Sequence, residues 1–171
     1  MGKKTRTLTL SAIYSALTIV MLYIASIWPT GQVGLVAITS FFTAAAVIEA
    51  GFVSGVSVYA VSSLLGFLLI PNRVAAILFV VFFGYYPVVK SLIERIRWSI
   101  LQWVFKLLVF NAAMALLWVL LSALIIDYVD NDISVILLLL AGNVIFVLFD
   151  YGFTKVIWLY LDRISKYRRS I

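Results

Sequence analysis

Neither cysteine nor histidine occurs among the 171 residues. Their absence removes disulfides, thiolate nucleophiles, the usual zinc sites and every Ser-His or Cys-His catalytic pair. Charge is scarce as well, at 12% of residues. No G-x-x-x-x-G-K-[ST] phosphate loop occurs, so the chain is no P-loop ATPase, and any primary energy must come from a partner. Carboxylates cluster only in the stretch Asp127 to Asp132. Its oxygens suit a divalent cation, but a solvated acidic loop is the commoner arrangement. The expectation is a protein with no catalytic site, no metal and no cofactor.

What is present is apolar. Hydrophobic residues make up 65% of the chain, and the mean hydropathy is +1.16. An ordinary globular composition is about half apolar and a quarter charged. A chain this small cannot hide such a surplus in its own core, so the remainder needs lipid as its solvent. With about 20 residues per crossing, the length accommodates an all-α integral membrane protein, a single domain of six transmembrane helices.

The expected spans run from about Leu8 to Trp28, Val33 to Ala50, Ser54 to Ile70, Arg73 to Leu92, Gln102 to Ile126, and Ile133 to Leu161. Pro29-Thr30-Gly31 and Pro71-Asn72 break the chain after the first and third. The faintest boundary is Gly51 to Gly55, where almost nothing polar intervenes. The last span exceeds what a bilayer requires, which predicts tilt or projection. The first resembles a signal peptide in its basic start, yet its apolar run is too long and lacks a small-x-small cleavage site. It is read as a retained span.

Basic residues set the orientation. Lys3, Lys4 and Arg6, then Lys90, Arg95, Arg97 and Lys106, then Arg163, Lys166, Arg168 and Arg169 all fall on one side of a six-span chain. That side is expected to be cytoplasmic, with both N and C termini there, in a multi-pass protein of the cell membrane. The net charge of +6 then faces anionic headgroups of the lipid bilayer and not nucleic acid.

Helices in lipid associate where small residues allow close backbone approach. Span one carries Ser11, Ala12, Ser15 and Ala16; span two carries Ala44, Ala45, Ala46 and Ala50; Gly51 and Gly55 follow, then Ser62 and Gly66. Spans four to six are bulkier. The small positions serve either packing among the first three helices or docking onto another membrane protein, and Ala12, Ser15, Ala16, Gly51 and Gly55 are the candidates for docking.

A six-span chain of this length, with a basic N-terminus leading into Ala12-Ile13-Tyr14-Ser15-Ala16 and three small-residue-rich leading helices, resembles the substrate-binding S component of energy-coupling-factor (ECF) transporters. The resemblance implies that Ala12 and Ala16 contact a shared transmembrane coupling subunit. It implies further that cytoplasmic ATPases supply the energy and that a vitamin-like solute binds near the outer face. No signature of a particular vitamin is present.

Ionisable groups at membrane depth are costly and are therefore candidates for function. Glu49, Lys106, Asp150 and Lys155 are four such groups. The lysines can extend toward headgroups. Glu49 and Asp150 have shorter reach; pairing with Lys90 or Lys106, contact with a partner, and a proton relay stay open. Asn143, Asp150 and Thr154 share one face of span six, and Asn111, Ala115, Trp118 and Ser122 share one of span five. Both stripes are expected to face the interior, either as cross-helix glue or as the lining of a cavity. Pro87, in Gly84-Tyr85-Tyr86-Pro87, should bend span four.

A solute pocket is expected in the outer half, from Gln32, Thr39, Asn72, Arg73, Trp118, Ser122, Asp127, Tyr128 and Asn143. It offers an aromatic surface, amides for direction and one cation, a mixture suited to a small ring-bearing solute. Arg73 also suits a plain interface anchor. The leading expectation is thus a solute-binding subunit of an importer. The alternative is a membrane scaffold or assembly protein that binds other membrane proteins or lipids, its five Trp and nine Tyr serving as interfacial belts. A membrane enzyme and an independent secondary transporter fit less well, since no catalytic cluster, internal repeat or pair of broken helices is evident.

Overall fold

The computed structural model describes residues 2–28, 30–124 and 135–169. All regular elements among them are helical: α1 (Lys3–Ile27), α2 (Gln32–Ala50), α3 (Phe52–Leu69), α4 (Arg73–Leu78), a π-helical turn (Phe79–Phe83), α5 (Tyr86–Ile93), α6 (Ser99–Leu124) and α7 (Val135–Arg169). Because α4, the π-helical turn and α5 run on as one span, Arg73–Ile93, six helical segments are long and apolar enough to cross a membrane. The helices begin and end within a few residues of the expected spans at most boundaries. The exceptions are α1 and α7, which run on through basic residues to Lys3 and Arg169. Pro29 and the loop Asp127 to Asp132 lie outside the described residues.

The chain divides into two compact units, Met1–Asp127 and Tyr128–Ile171. In the second, α7 is a single helix of 35 residues whose apolar span covers Leu139–Arg163. In the first, α1, α2 and α3 pack against one another, and α2 also touches all three parts of span four. Beside Leu22, Val36 and Val58, the buried residues of α1 to α3 are small or hydroxylated: Ser15, Thr18 and Ala25, then Thr39, Ser40, Thr43 and Ala44 to Ala46, then Ser54, Gly55, Ser62 and Gly66. Close approach gives these helices dispersion contact that hydrophobicity cannot supply in lipid.

Gly51 alone joins α2 to α3, at φ 93 and ψ 174. Only glycine adopts that backbone conformation without strain, which is why so little sequence suffices to reverse the chain. At the other end of α3, Ile70 is extended and Asn72 caps α4, its Oδ1 accepting from the Val74 N–H at 3.0 Å.

Span four forms the centre of this unit. Phe79, Phe82, Phe83 and Tyr86 are buried, and the Phe82 ring meets those of Phe83, Tyr86 and Phe110 at centroid distances of 5.1, 5.0 and 5.5 Å. The irregularity of span four lies about a turn before Pro87. Gly84 N–H reaches back to the Phe79 carbonyl at 2.7 Å, five residues away, so the helix widens before the proline, which lies in the first turn of α5. A side chain at Gly84 would strike the Tyr59 and Phe79 rings at 2.7 to 2.9 Å. Tyr59 on α3 donates its hydroxyl to the Val80 carbonyl, within the widened turn, at 3.0 Å.

Candidate functional site

The five candidate docking residues separate into two environments. Ser15 is buried, and Gly55 lies against the Val47 side chain with Val88 next to it, so both are taken up by packing inside the first unit. Ala12 and Ala16 are exposed on α1, in line with exposed Leu8 and Val20. The 3.6-residue period makes the difference, since one register position turns Ser15 inward and Ala16 outward. Gly51 is exposed at its turn.

The residues expected to line a solute pocket meet separate demands. Thr39 is fully buried and gives its hydroxyl to the Val36 carbonyl at 2.5 Å. Asn72 is a helix cap. Arg73 folds back on α3, donating to the Phe67 carbonyl with its guanidinium 5.2 Å from the Phe67 ring centroid. A cation over the C-terminal end of a helix is favourable, and this supports the anchor reading of Arg73. Trp118 is 44% exposed and Ala115 is exposed too, so this part of the stripe does not face the interior as expected, whereas Asn111 is half-buried. Instead α6 turns Lys106, Phe110 and Ala113 inward, and Asn111 gives one amide proton to its own helix at Leu107.

On α7, Asn143 likewise donates to Leu139, and Thr154 to the carbonyl of Asp150. The Ser122 side chain, Asp127 and Tyr128 lie outside the described residues. Gln32 differs from the rest: its Nε2 is buried, with no hydrogen-bond partner among the described residues.

Gln32 follows Gly31, which lines a cleft of about 590 Å³ at the turn between α1 and α2. Ile24, Trp28, Thr30, Gly34, Leu35 and Ile38 complete the lining. The cleft is open and almost wholly apolar, and it presents one large aromatic face, that of Trp28. It can take a flat, weakly polar group.

The charges are organised around Glu94, which follows the last residue of α5. Glu94 Oε1 accepts from Lys90 Nζ at 2.8 Å and from Lys106 Nζ at 3.1 Å. Lys90 is 2% and Lys106 5% exposed, whereas the Glu94 side chain is 39% exposed. Lys106 turns onto Glu94, with its ammonium also 5.3 Å from the Trp103 ring centroid. The spacing of Lys90 and Glu94, four residues on one helix, is a signal that could have identified the pair. Lys155 stays exposed and lies 5.5 Å from the Tyr151 ring centroid. Among the described residues no group of three or more acidic side chains could hold a metal ion.

Compared with family models, curated proteins and solved structures, the chain has no match in any of the three. Its class is therefore given by its own helices, an all-helical protein with six segments able to cross a membrane, the pattern of a multi-pass membrane protein.

Proposed function

We propose that this chain is the membrane-embedded solute-binding subunit of an importer of the cell membrane. It captures a vitamin-like molecule on the outer side and docks on a transmembrane coupling subunit driven by separate cytoplasmic ATPases. The observation that carries the reading is the outward face of α1. Ala12 and Ala16 lie exposed there four residues apart, while Ser15, Thr18, Leu22 and Ala25 occupy the inward face. The inner packing of the bundle leaves that small-residue strip unused, and it is flat enough for another helix to approach closely. With both termini cytoplasmic, the Trp28 cleft opens at the outer end, where its aromatic face would meet a small ring-bearing solute.

Replacing both Ala12 and Ala16 by Leu should abolish uptake and co-purification of a coupling subunit while leaving solute-dependent thermal stabilisation intact. Unchanged uptake by this variant overturns the proposal. The solute itself is sought by denaturing protein purified without added ligand and searching the extract by mass spectrometry for a stoichiometric small molecule. An empty protein that no micronutrient stabilises favours the scaffold reading, which the exposed Trp98, Trp103, Trp118 and Trp158 support.

A further inference from the structure

Three hydroxyls at the middle of the first unit are fully buried and have no hydrogen-bond partner among the described residues. They are Ser40 Oγ and Thr43 Oγ1 on α2 and Ser62 Oγ on α3. Helix register brings them together. Gly55 lies directly against Val47, so these two positions are level on α3 and α2. Two turns further along each helix, on the same faces and in opposite chain directions, come Ser62 and Ser40. One turn along come Tyr59 and Thr43. From the third side, Leu22 lies against Gly66, and one turn back on each of those helices sets Thr18 level with Ser62. Ser40, Thr43 and Ser62 fall near the middle of their helices.

A hydroxyl without a partner at that depth is costly, because neither lipid nor an apolar core replaces the hydrogen bonds it made in water. Two neighbours avoid the cost locally: Thr18 donates to the Tyr14 carbonyl at 2.7 Å and Thr39 to Val36. The Val36 carbonyl is the one Ser40 would use four residues back, and Thr39 already occupies it. We propose that buried water occupies this junction of α1, α2 and α3, bridging Ser40, Thr43 and Ser62. Water suits a cluster that is neutral and built of groups that both donate and accept. A cation would find hydroxyl oxygens there and no carboxylate among Thr18, Ser40, Thr43, Tyr59 and Ser62. The site lies one helical turn from Tyr59, whose hydroxyl reaches the π-helical turn. Water there continues a polar path from α2 to the widened part of span four, independently of any solute or coupling subunit.

The test uses the full chain in lipid bilayers. Water-edited solid-state NMR should transfer polarisation to the Ser40, Thr43 and Ser62 side chains several-fold faster than to the fully buried Val58 and Phe79. Equally slow transfer to both groups overturns the proposal. The triple variant Ser40→Ala, Thr43→Val, Ser62→Ala should erase the fast transfer at those positions and lower Tm by about 3 to 6 °C. A rise in Tm would mean that the hydroxyls had been dry, since removing an unpaired buried polar group stabilises, and would overturn it too. Tm should be the same in sodium and in choline chloride. A rise specific to sodium would overturn the assignment to water.

Discussion

Span four and α6 are almost equally apolar, yet 67% of the apolar window of span four is buried against 17% of that of α6. Hydropathy decides that a segment can leave water; it does not decide whether lipid or protein replaces the water. In α6 the inward positions are Lys106, Phe110 and Ala113, one narrow stripe. Span four turns most of its circumference to protein, because α2, α3 and α6 all contact it. Its irregular backbone follows from the same surroundings. A widened turn at Phe79–Phe83 is tolerated in a membrane span only where neighbours satisfy the backbone, and Tyr59 does so at Val80.

The contrast breaks most visibly at phenylalanine. Phe79 is fully buried and Phe105 on α6 is 42% exposed. Phe79→Ala should cost about 3 to 5 kcal/mol, through lost contacts and a cavity. Phe105→Ala should cost well under 1 kcal/mol, as outer positions usually do. Equal losses, measured by unfolding in detergent, would mean that span four is no more central than α6. A smaller effect is expected at Gly84, where Gly84→Ala drives a methyl group into the Tyr59 and Phe79 rings and should destabilise by about 1 to 3 kcal/mol. Its control is Gly34→Ala on α2, where nothing lies within 4 Å; that variant should be neutral or stabilising by up to about 1 kcal/mol. The smallest change is Tyr59→Phe. It removes one hydrogen bond to the widened turn and should cost about 1 kcal/mol, with faster amide exchange at Gly84 and Tyr85 as the sharper readout.

Much of this architecture is legible in the residues. Composition points to lipid, Pro71 with Asn72 marks a break, and the glycine at 51 allows a reversal that hydropathy alone barely registers. Tyr86 and Lys90 share a face by spacing, and both are buried. The candidate site is less legible. Thr39, Asn72 and Arg73 look like polar groups available for a ligand, but each finds its partner within seven residues. Local hydrogen bonds of this kind depend on rotamers, which a residue list does not contain. Glu94 is hard to single out in the sequence, because a carboxylate at the edge of a basic stretch resembles a solvated charge. Only the approach of Lys106 from another helix makes it the focus of two ammonium groups.

The sequence by itself determined the solvent of this protein, the number of segments able to cross a membrane and where most of them break, because these follow from transfer free energies and from the backbone chemistry of proline and glycine. Tertiary structure alone decided which helix lies at the centre of the first unit, which of Ala12, Ser15 and Ala16 faces outward, and which core hydroxyls have no partner among the described residues. Those outcomes depend on the rotation of each helix about its axis and on its neighbours. In segments apolar on every side, periodicity carries too little contrast to specify either.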